Sequence, residues 1–412
     1  MTGTRRGPSA SPTERRPRRG QSRQRRAALP RDFYPRADYP DHMATREALW
    51  GYRNRFGDAF GRTYFRRFGP GVVSSVGIGT YLGEPTPEVD DASRESIGLA
   101  LRSGVNHVDT AANYRCGRAE RVVGEALRDA PVDRESVVVA TKGGFLPFDG
   151  ERPADPSAYV RERFVEPGIV DPDYLANGAH AMTPAYLEWS LDRSLDRLDL
   201  DSVDCFYVHN PETQLAARSR DEVYDQIGAA FEALERRRAA GDIGAYGVAT
   251  WSAFRVPAEA DDHLSLGEVL SRAEAAGEAV GPDDDHGFAA IQLPFNVAMA
   301  DAFTRRNQPA PPGAGADGPV STLEFAHEAG LSVVTSASVG QGDLTVEGAV
   351  PADVDATLAG ETPAQRALNF ARSAPGVTSS LVGTTDPDHV RENVAAGTFD
   401  PLGASAFDAV FE

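Results

Sequence analysis

Eight short, β-branched segments alternate with amphipathic segments along most of this 412-residue chain. The strand-like segments are 74–80, 106–111, 137–142, 204–209, 244–250, 289–295, 331–337 and 379–385. Helical patterns such as 89–104 and 184–200 lie between them, and Gly104 and Gly330 follow two of the helices as C-terminal stops. Because strands that are separated by helices need crossover connections, this order predicts a parallel sheet.

The strand count favours a closed barrel over an open, doubly wound sheet. No glycine-rich turn opens a helix after the first strand, as a dinucleotide-binding open sheet would require. Residues 64–83 predict a hairpin around a Gly-Pro-Gly turn, and a long segment, 145–182, follows the third strand. We therefore predict an α/β fold: a (β/α)₈ TIM barrel with an N-terminal β-hairpin cap at its bottom and a long loop after the third strand.

The amino-acid composition limits which partners this protein can bind and in which compartment it functions. The net charge is −19, and residues 1–42 hold eleven arginines and four acidic residues, so residues 43–412 carry −26. Such a body repels nucleic acid and anionic membranes, and its acidic surface is halophile-like, of the kind that a salt-rich cytoplasm favours. Cys116 and Cys205 are isolated, so no metal site and no disulfide framework is predicted. No apolar run is long enough to span a bilayer, and we expect a cytoplasmic protein.

Residues 1–42 are predicted to be a disordered, arginine-rich tail, separate from a barrel domain over 43–412. No apolar stretch follows the arginine pairs, as an export signal would require. The charge alone would suit a nucleic-acid-binding arm, whereas translation from Met43 would leave the tail out of the protein. We assign the tail no function.

Four residues able to move or stabilise protons are predicted to meet at one rim of the barrel. Asp109 ends the second strand and Tyr114 follows it, while Lys142 closes the third strand and His209 closes the fourth. Lys142 is the only lysine beside 41 arginines, which indicates a site where a compact ammonium is required. Active groups of such barrels lie at the carboxyl ends of the strands, so we predict an active site here.

These motifs resemble the successive signatures of the aldo-keto reductase superfamily. The resemblance rests on GIGT, HVDTAANY, ATKGG, YVHNPE, AIQLPFN and LVGTTDPDHVRENV, and it extends from about residue 72 to 396. It implies NAD(P)H-dependent interconversion of a carbonyl compound (aldehyde, ketone or sugar) and its alcohol, with a catalytic tetrad of Asp109, Tyr114, Lys142 and His209. The chemistry agrees, because a cation next to a phenol lowers its pKa and a neutral imidazole can orient a carbonyl oxygen.

The resemblance also implies a nicotinamide site, with NADP(H) favoured and NAD(H) as the alternative. The implied cofactor-binding residues are Gly79, Thr80, Asp109, Thr250, Gln292, Ser336, Ser338, Gly383, Thr384, Thr385, Glu392 and Asn393. Three features depart from the common family pattern. Ala249 and Thr250 replace a Ser-Asn pair, serines replace the stacking aromatic residue, and His389 stands where NADPH-preferring members often have Arg.

The substrate is less constrained. The segment 145–182 is expected to form a lid or pocket wall, and its Arg161 and Arg163 are either anion ligands or a solvated face. Asn113 and Glu212 are interpreted as loop-shaping residues. A polar carbonyl compound or alcohol, such as a sugar or a short-chain aldehyde, is the expected partner of a monomer or small homo-oligomer. The alternative function is a nicotinamide-binding sensor or regulatory subunit without turnover.

Overall fold

A computed structural model describes residues 1–3, 43–57, 59–69, 71–281, 285–313, 315 and 318–411. The tail predicted over residues 1–42 therefore lies outside the described residues, except for its first three. The described chain enters the fold through helix α1 (Arg46–Phe56) and the antiparallel hairpin of β1 (Phe65–Phe68) and β2 (Gly71–Ser74).

Eight parallel strands then close into a barrel in the order β10-β3-β4-β5-β6-β7-β8-β9. They are β3 (Val76–Gly79), β4 (His107–Asp109), β5 (Val138–Gly143), β6 (Val203–His209), β7 (Ile243–Ala249), β8 (Phe288–Pro294), β9 (Ser332–Ser336) and β10 (Val377–Val382). The predicted barrel is confirmed, and each strand falls on its predicted segment. The last strand ends three residues early because Gly383 leaves the ladder to turn towards the next helix.

Helices cover the outside of the barrel. They are α2 (Pro87–Arg102), α3 (Arg118–Asp129), α4 (Pro156–Val160), α5 (Pro184–Leu198), α6 (Arg220–Ala240), α7 (Leu266–Val280), α8 (Asp301–Thr304), α9 (Thr322–Glu328), α10 (Ala352–Asp355), α11 (Pro363–Ser373), α12 (Pro387–Thr398) and α13 (Ala404–Asp408). Local sequence fixes where they begin: Thr86, Thr183 and Thr362 each cap a helix whose first residue is proline.

The hairpin closes the amino end of the barrel, as predicted. The backbone N–H of Ser74 donates to Asn106 Oδ1 at 2.8 Å, just before β4 begins. Leu49 of α1 and Phe68 of β1 share one buried cluster with interior barrel residues such as Val138. Because this end is filled with apolar side chains, chemistry is confined to the opposite rim.

The segment between β5 and α5 is built into the body of the protein. After α4 it contains one π-helical turn (Arg161–Val165) and one 3₁₀ turn (Pro172–Tyr174). Val160, Phe164 and Val170 are buried in the main hydrophobic core. This segment, called the wall segment below, is therefore packed into the body of the protein and is not a separable lid, because opening it would expose these core side chains.

Candidate active site

The predicted tetrad lies at the carboxyl ends of the strands, where the structure forms a cavity of about 440 Å³. Asp109, Tyr114 and His209 line this cavity directly, and Lys142 lies behind them with no exposed side-chain surface. A larger hollow of about 630 Å³ lies outside the barrel between α3, α5 and the wall segment. We place the site in the smaller cavity because the outer hollow contains none of the tetrad residues.

Asp109 is held from both sides. Lys142 Nζ forms an ion pair with Asp109 Oδ1, and Gln292 Nε2 donates to Asp109 Oδ2 at 2.7 Å. Lys142 Nζ also donates to the carbonyl oxygen of Thr110 at 2.9 Å. Burial lowers the pKa of the Lys142 ammonium, but Asp109 and Tyr114 outweigh it, so that pKa lies above its usual range. The lysine is therefore a charged, fully enclosed group at neutral pH.

Tyr114 faces this cation. Lys142 Nζ lies 4.8 Å from the centroid of the Tyr114 ring, and Tyr81 packs edge-on against the same ring at 5.1 Å. Burial raises the pKa of the Tyr114 phenol above its usual range, while the charge of Lys142 and its hydrogen bond lower it. The lysine thus acts in the predicted direction, but burial has the larger effect on the pKa of the phenol.

The backbone that follows Tyr114 has an unusual conformation. Arg115 and Cys116 have φ of 49° and 57°, and Gly117 follows with φ of 79°. Left-handed backbone at two consecutive non-glycine residues is costly and needs support from the surroundings. Arg115 supplies that support: its buried guanidinium pairs with Asp90 of α2.

His209 completes the rim. Burial, with Lys142 and His180 adding to it, holds the pKa of the His209 imidazole well below its usual range, so the ring is neutral. Its Nδ1 atom is buried and has no hydrogen-bond partner among the residues described. His180 of the wall segment contacts the backbone behind it, with 2.7 Å between His180 Nε2 and the His209 carbonyl oxygen. The ring of Phe145 packs edge-on against both histidines, at 5.0 and 5.2 Å.

The residues predicted to bind the cofactor fall into two groups. The lining of the catalytic cavity includes Gly79, Thr80, Asp109, Thr250, Gln292, Ser336, Ser338 and Gly383. Thr384, Thr385, Glu392 and Asn393 lie outside that lining, on the turn into α12 and on the helix itself. Glu392 accepts a hydrogen bond from the Thr362 hydroxyl. The assignments of all these residues to a cofactor stay predictions.

A nicotinamide dinucleotide fits this arrangement. The cavity reaches from Tyr114 to Gly383, where the chain turns into α12 and backbone amides can meet phosphate groups. A Cβ atom at Gly383 would lie 2.4 Å from the carbonyl oxygen of Gly79, so the close approach of these two strand ends requires glycine.

Thr250 replaces a member of the family's Ser-Asn pair, and its hydroxyl is already engaged. It donates to Glu212 Oε1 at 2.8 Å and accepts from the N–H of Ala253 at 2.9 Å. The same carboxylate oxygen accepts from the N–H groups of Trp251 and Ser252, at 2.8 and 3.1 Å. Glu212 therefore does shape a loop, as predicted, and the Thr250 hydroxyl proton is not free to hold a ligand.

The two arginines of the wall segment lie away from the tetrad. Arg161 is exposed and pairs with Glu162 and Glu166 of its own segment. Arg163 stacks on Tyr159 and borders the outer hollow. The solvated face is therefore the interpretation that the structure supports for Arg161, and neither arginine lines the catalytic cavity.

Sequence reasoning missed several residues of the cavity. Tyr81, Phe145, Asn210, Trp251 and Val339 line it without having been proposed as site residues. Their common signal was position, because all five lie within three residues of the carboxyl end of a barrel strand.

Comparison with known proteins finds one matching family model and several relatives. The model of the Aldo/keto reductase family matches residues 75–267. A D-threo-aldose 1-dehydrogenase of a Pseudomonas species is 30% identical over 170 residues, which are 39% of this chain and 44% of that protein. This chain therefore matches less than half of the dehydrogenase's length.

Other relatives differ in their described roles. A probable voltage-gated potassium channel subunit beta of Oryza sativa subsp. japonica is 28% identical over 351 residues, 76% of this chain and 85% of that protein. The NADH-specific methylglyoxal reductase of Escherichia coli is 27% identical over 203 residues, 48% of this chain and 53% of that protein.

Solved structures share the fold. An aldo-keto reductase from Bacillus halodurans in its holo form has a TM-score of 0.57 at 20% identity, covering 84% of this chain and 95% of that one. One from Klebsiella pneumoniae, in complex with NADP and acetate, has a TM-score of 0.52 at 20% identity, covering 84% and 94%. The closed barrel of this chain is therefore the (β/α)₈ fold of these solved aldo-keto reductases. Residues 75–267, just under half of the chain, are similar to the aldo/keto reductase family.

Proposed function

We propose that this protein interconverts a small carbonyl compound and its alcohol, using a nicotinamide dinucleotide. The observation that carries the proposal is the position of the enclosed, ion-paired Lys142 ammonium beside Tyr114, in a cavity that His209 also lines. A positioned acid with a nearby cation and a neutral hydrogen-bond donor is the arrangement that carbonyl reduction needs. When bound, the nicotinamide supplies the hydride.

Tyr114 donates the proton to the carbonyl oxygen during reduction and takes it back during oxidation. Lys142 favours the phenolate that remains, and Asp109 keeps the ammonium in place. The buried Nδ1 of His209 has no acceptor in the described part of the chain, so a proton is better placed on Nε2. From there the imidazole can donate to the substrate oxygen and orient it.

For the cofactor we propose NADP(H) first, since NADP is bound in a structural neighbour of the same fold. NADH is the second candidate, and the charges at the start of α12 favour it. Asp386 and Asp388 are exposed there, and Arg391 is already paired with Asp388. A 2′-phosphate would meet acidic groups at this position.

Cofactor consumption tests the proposed function. We expect the full chain, at low and at molar KCl, to oxidise NADPH or NADH in the presence of simple aldehydes. Tyr114→Phe removes only the proton donor, so turnover should fall by about 10² to 10⁴, while cofactor binding, followed by fluorescence titration, should be retained. Turnover in the variant above about a tenth of wild type would show that another group delivers the proton.

A second candidate is a cofactor-binding regulatory subunit without turnover. The similarity to potassium channel subunits beta, which covers 76% of this chain, favours it. The two candidates separate in the same assay, because binding of NADPH without consumption on any aldehyde or ketone would support the regulatory subunit.

In the part of the chain that the structure describes, no helix is long and apolar enough to cross a membrane. We propose a cytoplasmic protein with an acidic, salt-adapted surface.

A further inference from the structure

His209 lies where one side of the strand ladder stops. The neighbouring strand β5 ends at Gly143, which pairs with Val208, so β5 does not reach His209. On the other side the ladder continues, because the N–H of Asn210 donates to the Ala249 carbonyl oxygen at 2.6 Å. The carbonyl oxygen of His209 therefore needs a donor from outside the barrel.

His180 of the wall segment supplies this donor. Its Nε2 atom lies 2.7 Å from the His209 carbonyl oxygen, and the residue is fully buried. Gly144 makes room for the contact, because a Cβ atom there would lie 2.9 Å from His180 Nε2 and 2.5 Å from the His209 oxygen. The wall segment thus takes the place beside β6 that β5 leaves empty.

The contacts of His180 fix the position of its proton. A carbonyl oxygen only accepts hydrogen bonds, so Nε2 must be the protonated nitrogen of this neutral ring, and Nδ1 is an acceptor. Gln214 is the matching donor: its Nε2 atom lies 2.9 Å from His180 Nδ1 and donates to the His180 carbonyl oxygen at 3.0 Å. Because Gln214 lies on the 3₁₀ turn Pro211–Ala216 that follows β6, the loop after His209 holds both the ring and the backbone of His180.

The His209 ring itself has few anchors. Its Nδ1 atom has no hydrogen-bond partner among the described residues. Phe145, which forms an antiparallel bridge with His180, packs edge-on against the His209 ring, and the Tyr114 ring lies 5.9 Å from it. The direction of the imidazole therefore depends on packing and on the backbone that His180 holds.

We propose that His180 is a positioning residue of the active site, which holds the His209 backbone so that the imidazole meets the substrate oxygen. His180 is not among the residues that line the catalytic cavity, so it acts through His209. The inference rests on the proposed carbonyl reduction and extends its machinery into the wall segment. A small displacement of a group that orients the substrate is enough to slow the reaction strongly.

Two substitutions at position 180 separate the hydrogen bond from the rest of the side chain. Asparagine places its amide where Nδ1 of histidine lies and does not reach the His209 carbonyl oxygen, whereas glutamine places its amide nitrogen where Nε2 lies. We expect His180→Asn to lower kcat/KM by about 10- to 100-fold, and His180→Gln to keep it within about threefold of wild type. The assay uses saturating NADPH and whichever of propanal, D-glyceraldehyde and methylglyoxal the wild type reduces fastest.

His263→Asn is the matched control. His263 is also buried, and its Nε2 atom lies 3.1 Å from the carbonyl oxygen of Asn307, but neither residue lines the catalytic cavity. The same substitution therefore removes the same kind of contact away from the tetrad. It should leave kcat/KM within about twofold of wild type.

A double-mutant cycle distinguishes positioning from a merely structural role. His209→Leu removes the imidazole through which His180 is proposed to act. In that background we expect His180→Asn to lower kcat/KM by less than about twofold, because the effects of coupled residues do not add. An equal fold-loss in the wild-type and His209→Leu backgrounds would make His180 a structural residue and overturn the inference.

Gln214→Met provides a second variant in case His180→Asn does not fold. It removes the two hydrogen bonds that hold His180, so kcat/KM should fall by about 3- to 10-fold, while the Kd for NADPH, measured by fluorescence titration, stays at its wild-type value. Wild-type kcat/KM in this variant would overturn the inference and leave carbonyl reduction intact. A wild-type protein that binds NADPH but reduces no aldehyde or ketone would instead overturn the proposed function.

Discussion

Gln292 donates a hydrogen bond of 2.7 Å to Asp109 Oδ2, on the carboxylate oxygen that Lys142 leaves free. The resemblance to the family implies that Gln292 binds the nicotinamide carboxamide. In this chain the residue also supports the tetrad, because it supplies the second donor of a buried carboxylate. Its side-chain oxygen remains for a ligand, so one amide can join the cofactor to the catalytic residues.

A first prediction follows from this contact. Gln292→Met keeps the approximate length of the side chain but leaves Asp109 Oδ2 buried without its donor. We expect the free energy of unfolding to fall by about 1–3 kcal/mol, the cost of an unsatisfied buried acceptor. Chemical denaturation measures this loss, and unchanged stability would mean that water replaces the amide at Asp109.

A second prediction concerns the turn that carries Tyr114. Asp90 binds both Arg115, whose side chain is buried, and Arg118, whereas its neighbour Asp91 pairs with Arg94 on the surface. Asp90→Ala should reduce stability by more than about 1 kcal/mol and lower kcat, because the left-handed turn loses its support.

Asp91→Ala is the matched control for that substitution, and its stability should stay within about 0.5 kcal/mol of wild type. Equal behaviour of the two variants in denaturation and turnover assays would show that the Asp90 ion pairs do not position Tyr114.

A third prediction concerns acid stability. Burial lowers the pKa of His180 to about 4, so the folded protein keeps this ring neutral while the unfolded chain protonates it near pH 6.5. Stability from this group is complete above pH 6.5 and is lost as the pH falls towards 4, at up to about 1.36 kcal/mol per pH unit.

His180→Asn should flatten the dependence of unfolding free energy on pH between 6.5 and 4, whatever its effect at pH 7. Denaturation curves at several pH values test this, and a slope identical to that of the wild type would mean that His180 is protonated in the folded protein. His107 and His209, whose pKa values burial also lowers, remain in both proteins, so the difference between the two slopes reports the loss of His180 together with its effect on His209.

Strand and helix positions were predictable because each rests on a local signal. The β-branched run 137–142 and the amphipathic segment 89–104 mark β5 and α2 within a few residues, and parallel pairing then brings Asp109, Lys142 and His209 to one rim. Tyr114 could be added because it follows a strand end directly.

Contacts between distant segments were not predictable in the same way. Nothing near Phe164 in the sequence shows that the centroid of its ring lies 5.3 Å from that of Trp189. The sequence therefore left open whether residues 145–182 form a movable lid or a fixed part of the pocket. The commitment of the Thr250 hydroxyl to Glu212 likewise depends on side-chain geometry that one chain's pattern does not contain.

The net pKa of Tyr114 shows a further limit of sequence reasoning. The pattern identifies Lys142 as its neighbour, and hence the direction of the charge effect, but burial of the phenol depends on the whole cavity and proves to be the larger influence. Proton donation by Tyr114 therefore depends on how far Lys142 lowers the pKa of the phenol against the effect of burial.

The most direct measurement is the pH dependence of kcat in Lys142→Arg and Lys142→Met. Arginine keeps the charge but widens the group, whereas methionine removes the charge at similar length. Loss of the compact ammonium should lower turnover in both variants. It should also move the alkaline limb of the profile to higher pH, by about one pH unit or more in Lys142→Met. An alkaline limb that stays at its wild-type position in a folded, cofactor-binding Lys142→Met protein would contradict the role assigned to Lys142.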